Sequence, residues 1–232
     1  MSRNLSSVAI FFALTACDDG GVKSTCTADC ITVHGQGAMI NGSGTSKTEV
    51  RPVASFSAIR LSDVDARVVI ERTGTESLEV TADDNLVALF TSEVKDGTLY
   101  LSVAKDKSVS GKRPLYKITV NDLQQLGVSG AGIVDASGLD GEGLAMSVAG
   151  SGEINAAGRI EDLTISISGS GSCNAAGLKA RRAKVAVRGS GDLTVNASDE
   201  LEAIVSGSGS VWYVGSPKIT SSLSGSGEIK QR

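Results

Sequence analysis

Apolar residues in the second half of the chain recur in steps of two, and the blocks they form recur at a fixed interval. Val128, Val148, Ile167, Val187, Val205 and Leu223 make one column. Two residues earlier stand Leu126, Met146, Ile165, Val185, Ala203 and Ser221. Two earlier again stand Gln124, Leu144, Leu163, Ala183, Leu201 and Ile219. Steps of two are the strand period, so each block predicts a strand with this face inward. Each strand runs into the same few letters, from Ser129-Gly130-Ala131-Gly132 to Ser224-Gly225-Ser226-Gly227. The first glycines fall at 130, 150, 169, 189, 207 and 225, an interval of 18 to 20 residues. Four residues past each of them stand Val134, Ile154, Cys173, Leu193, Val211 and Ile229, a second inward stack.

A fixed short period predicts a solenoid, in which each repeat buries its apolar face only against its neighbours. A coil of about 19 residues must bend several times to return to its start. Glycine makes such bends without steric cost, and serine can satisfy a turn amide. The expected architecture is all-β: a parallel β-helix whose regular coils fill 126–232, about 30 Å long at ~4.8 Å per coil. The leucine-rich-repeat pattern is absent. At 3% aromatic, the chain suits a narrow aliphatic core.

Residues 49–125 keep strand alternation without glycine corners, as in Phe56 to Leu61, Ala66 to Glu71, Leu78 to Thr81 and Thr98 to Val103. Turns are expected at Thr73-Gly74 and Lys95-Asp96-Gly97. Asp83 to Phe90 reads as a helical turn or a loop, and Ser108 to Pro114 as an exposed basic loop. This part is expected to form wider, less regular coils, or a sheet capping the open end of the solenoid. Small polar residues over 18–48 read as a flexible tether.

Residues 1–17 have the form of an export signal, with Arg3, a short apolar run from Val8 to Leu14, and Leu14-Thr15-Ala16-Cys17. That end resembles a bacterial lipobox. Cleavage before Cys17 would leave a lipid-bearing thiol that anchors the protein to a bilayer without spanning it; an ordinary secretory signal is the alternative. Asp18 resembles an inner-membrane retention signal of enterobacterial type. A net charge of −4 argues against nucleic acid. The expected location is the bacterial cell envelope, periplasmic or on the cell surface.

Phe56-Ser-Ala-Ile59, Val68-Val-Ile70, Leu78-Glu-Val80, Asp84-Asn-Leu86, Glu93 to Leu99, Leu123 to Gly130 and the Ser-Gly-Ser-Gly run together resemble one family over about 51–229. It is the auto-transporter adhesin family with the head GIN domain. The resemblance implies a right-handed parallel β-helix on envelope proteins, often lipoproteins, and it implies no catalytic residues.

Candidate chemistry is sparse. His34 is the sole histidine and lies in the expected tether, where nothing fixes the geometry of a triad. Cys26 and Cys30 read as a disulfide of an exported chain, with free thiols or a partial metal site including His34 as alternatives. Cys173 reads as core. The outward column Ile133, Glu153, Ser172, Asp192, Ser210, Glu228 sets acids about two coils, ~10 Å, apart. That is near the separation of an inverting glycosidase pair, but such spacing also avoids like-charge contact. Trp212 points outward if Val211 points inward. It then stacks on a sugar or partner, or packs on a neighbouring corner or the Ser216-Pro217 turn. No cofactor or metal is expected. The reading is a non-enzymatic adhesin-like, scaffold or recognition module, its candidate ligand surface being Glu153, Asp192, Glu228 and Trp212 and its partners a membrane, through the anchor, and a glycan or envelope protein. The rivals are a polysaccharide-active β-helix enzyme and a periplasmic sensor or scaffold.

Overall fold

The computed structural model describes residues 39–232. Its first half comprises β1 (Met39–Asn41), β2 (Ser46–Arg51), β3 (Ala58–Ser62), β4 (Arg67–Arg72), β5 (Ser77–Asp83), β6 (Phe90–Lys95), β7 (Thr98–Val103), β8 (Ser108–Ser110) and β9 (Leu115–Val120), with a 3-10 turn at Val87–Leu89. The second half comprises β10 (Gln125–Gly130), β11 (Ile133–Gly150), β12 (Glu153–Gly169), β13 (Ser172–Gly189), β14 (Asp192–Gly207), β15 (Ser210–Val214), β16 (Lys218–Gly225) and β17 (Glu228–Gln231). Strand pairing continues through the bends of each coil, which is why β11 to β14 are so long.

The repeat and the register coincide. Val128 pairs with Val148, and the same ladder continues through Ile167, Val187 and Val205 to Leu223. Val134, Ile154, Cys173, Leu193, Val211 and Ile229 form the second expected stack. Identical shapes stacked coil on coil give a dry aliphatic core, each fully buried Val, Leu or Ile contributing ~1.5–3 kcal/mol. The fold is thus a parallel β-solenoid. The chain departs from the expected columns at both ends of the regular coils. Gln124 is exposed and Leu123 is buried in its place, because the chain enters the first regular coil one residue out of phase. All of β16 is exposed, Ile219 and Leu223 included, because no described strand lies over the last coil.

At the corners Gly150, Gly169, Gly189, Gly207 and Gly225 have φ between +105° and +126°. Successive corners touch. The amides of Ser170 and Gly171 both donate to the Gly150 carbonyl at 2.9 Å. A Cβ on Gly169 would lie 2.6 Å from that oxygen.

The first half both extends the solenoid and closes it. β3 and β4 continue the two faces of β10 and β11, and β7 and β9 continue β3 and β4 in turn. Stacking order therefore departs from chain order: the β3–β4 coil lies between the β7–β9 coil and the regular ones. Beyond β7 and β9 the pairing turns antiparallel, with β6 on β7, β5 on β9 and β2 on β5. Asp96 and Gly97, both at positive φ, make the tight β6–β7 turn.

Two expectations are corrected here. The tether expected over 18–48 gives way to strand from residue 39, since β1 pairs with β8 and β2 with β5 and both thereby satisfy their backbone groups. The expected basic loop from Ser108 to Pro114 likewise begins as β8. Asp83, buried under this junction, accepts a hydrogen bond from the Lys112 amide at 3.3 Å. The signal segment, Cys17, Cys26, Cys30 and His34 lie outside the described residues. Among the described residues no helix is long and apolar enough to cross a membrane.

Candidate polar face

The strand that follows each glycine corner turns one set of side chains inward and the alternate set outward. The outward set holds the acidic column as the repeat predicts it. Ile133, Glu153, Ser172, Asp192, Ser210 and Glu228 are successive cross-coil partners. Their carboxylates are held apart, each by its own neighbour. Glu153 accepts from the Asn155 amide at 2.9 Å, Asp192 accepts from the Ser210 backbone N–H at 3.2 Å, and Glu228 pairs with Lys230. With a serine coil between each pair of acids, the fold brings no two of the three together. Among the described residues no three Cys, His, Asp or Glu side chains gather as metal ligands.

Two residues further along the same strands runs a second outward column. Asp135, Asn155, Asn174, Thr194, Trp212 and Lys230 are cross-coil partners in that order. Several of its polar groups are held by neighbours. Asn155 Nδ2 donates to Asp135 Oδ1 at 3.1 Å, and Arg67 donates to Asp135 Oδ2 at 2.9 Å from Nη2 and 3.1 Å from Nε. Asn174 Oδ1 accepts from the Ala176 amide at 3.3 Å. Small residues beside the column, among them Ala157, Ala176 and Gly177, leave a shallow depression of about 310 Å³ over Asp135, Asn155 and Asn174. Val211 is buried and Trp212 is its outward, half-buried neighbour, with Lys230 Nζ 5.9 Å from the centre of its ring.

The face therefore joins the expected residue Trp212 to five residues that sequence reasoning passed over. The signal was present. Positions 135, 155, 174, 194 and 212 repeat at the same interval as the corners, but asparagine and threonine read as ordinary strand-surface residues until the register placed them in one line. Cys173 lies beneath this face, buried in the core. Burial raises its thiol pKa to about 12, so the thiol is inert at neutral pH.

A family model described as putative auto-transporter adhesin, head GIN domain, matches residues 55–217. A putative adhesin from Bacteroides fragilis is similar at 30% identity and a TM-score of 0.69, over 83% of this chain and 100% of that one. A putative lipid binding protein from Parabacteroides distasonis shares the fold at 24% identity and a TM-score of 0.53, over 84% of this chain and 100% of that one. A putative adhesin from Parabacteroides merdae does so at 21% identity and 0.54, over 84% and 99%. Among curated proteins no match is found.

Proposed function

We propose that this chain, which belongs to the putative auto-transporter adhesin, head GIN domain family, works by recognition and not by turnover. Its role is that of an envelope adhesin, held to a bilayer through a lipid on Cys17, and its ligand is an extended glycan laid along the solenoid. One observation carries this reading. Asp135, Asn155, Asn174, Thr194 and Trp212 form an unbroken outward line over five coils, ~19 Å of amides, a carboxylate and a hydroxyl ending in an indole. Each coil offers hydrogen-bonding groups at a regular step, and an aromatic ring offers a stacking surface at one end. A chain of sugars repeats on a comparable scale, so many weak contacts can add along it. The fixed hydrogen bonds between Asn155, Asp135 and Arg67 lower the ordering cost of binding.

Two tests apply. On a glycan array the purified protein is expected to retain a set of linear oligosaccharides, and Trp212→Ala with Asn174→Ala is expected to weaken retention at least about tenfold. Equal retention by that double variant would remove the face from the reading. Protease shaving of intact cells tests the location. Loss of the protein without lysis supports an adhesin, whereas protection until lysis favours the periplasmic sensor or scaffold.

A further inference from the structure

Around the bend from the polar face lies a feature the recognition reading does not use. Arg159 of β12 and Lys179 of β13 are direct cross-coil partners, both exposed, their backbones ~4.8 Å apart. Like charges facing each other on neighbouring strands repel. The acids nearby are engaged elsewhere. Arg181 holds Glu161 at 3.1 Å and Asp199 at 2.8 Å, and Arg182 holds Asp162 at 2.6 Å. Asp140, the register partner of Arg159 on its other side, lies 3.9 Å from Arg72. Among the described residues, then, Arg159 and Lys179 make no ion pair on a surface where the neighbouring cations do.

The two cations, together with the ion-paired Arg181 and Glu161, line a cavity of about 320 Å³. Ile160 and Ala180, both buried in the core, lie beneath it, and Asn196 and Ser198 close the far side. Asn196 donates its amide to the Ala176 carbonyl at 3.1 Å, while its Oδ1 takes no partner among the described residues. The cavity continues the polar face. Along β12 the outward residues run Asn155, Ala157, Arg159, and along β14 they run Thr194, Asn196, Ser198.

We infer that this cavity is an acidic-sugar subsite of the glycan track, an inference that rests on the recognition reading. A carboxylate or sulfate of the glycan sits between Arg159 and Lys179, and its sugar ring reaches toward Asn196 and Ser198. The planar Arg159 fork suits the two oxygens of a carboxylate, and Lys179 adds a mobile point charge. Charge also separates this ligand from an anionic membrane. Glu161 lines the cavity, and Asp162, Asp199 and Glu200 follow its lining residues in sequence, on a chain of net charge −4. A lipid surface would lay several phosphates over this mixed-charge surface, whereas one oxyanion on a sugar needs only the two unpaired cations, Arg159 and Lys179.

The test uses the purified protein with oligogalacturonate and a heparin-type sulfated oligosaccharide, each beside its neutral methyl-esterified or desulfated counterpart, in titration calorimetry at low salt. At least one charged form is expected to bind about tenfold tighter than its neutral counterpart, and Arg159→Gln with Lys179→Gln to remove that preference. Neither side chain is packed, so the double variant keeps its Tm. Trp212→Ala is expected to weaken charged and neutral forms alike. Equal binding of charged and neutral forms, or a preference that survives the double variant, overturns the subsite and leaves the track intact. Binding of none of the four overturns the subsite, while the glycan array decides the track separately. Capture of phosphatidylglycerol vesicles that depends on Arg159 and Lys179, without any glycan preference, overturns the subsite in favour of a lipid headgroup.

Discussion

Gly169 meets two demands at once. Its φ is +117°, and a Cβ there would meet the Gly150 carbonyl at 2.6 Å. Gly169→Ala therefore forces two coils apart and is expected to cost ~2–4 kcal/mol, combining left-handed strain with the clash. Gly74, also at positive φ, has open space around its missing Cβ. Gly74→Ala is expected to cost only ~1 kcal/mol. Thermal unfolding of the two variants checks the contrast, and equal losses would refute the stacking role of the corner. Cys173 gives a second residue-scale prediction. Burial lifts its thiol from 9.0 to about 12. An acid whose folded pKa is raised contributes stability that is complete below its unfolded value and lost as pH rises through its folded one. Stability should thus decline between about pH 9 and about pH 12, and Cys173→Val should flatten part of that decline in urea titrations. The glycine corners and the inward place of Cys173 were legible in the sequence because they recur. The near-contact of successive carbonyls was not, since it depends on how closely coils pack.

The elements differ in how completely each is covered. Ile167 of β12 is fully buried between coils, whereas Leu223 of β16 is 52% exposed although it sits in the same ladder. Ile167→Ala is expected to cost ~2–5 kcal/mol and Leu223→Ala less than ~1 kcal/mol. Chemical denaturation of both variants separates them, and similar costs would mean that the last coil is covered in solution. The regular strands could be read from period-two alternation and the 18-to-20 interval. The β3–β4 coil could not be placed, because it stacks between β7–β9 and β10–β11 and no repeat marks that order. Register shifts hid the Arg159–Lys179 pair in the same way. The pairings slip between Asn155 and Ala157 and between Ala175 and Lys179, so this corner keeps no constant spacing.

For the molecule as a whole, a stack of coils is a nearly one-dimensional system in which each coil depends on its neighbours. Hydrogen exchange should be slowest in the middle coils, β12 to β14, and fastest in β16 and β17, where one side has no strand over it among the described residues. Uniform protection would contradict that gradient. The same geometry favours binding over catalysis. Outward groups repeat along a shallow face at one step per coil, while Glu153, Asp192 and Glu228 stand two coils apart and are each engaged by a different partner. The most direct measurement is mass spectrometry of an oligosaccharide retained by the purified protein, before and after long incubation. The predicted result is recovery at unchanged length, with retention lost in Trp212→Ala with Asn174→Ala and kept in Asp192→Asn. Shortened products formed by the wild type, and abolished by Glu153→Gln or Asp192→Asn, would contradict recognition and make the acidic column a catalytic one.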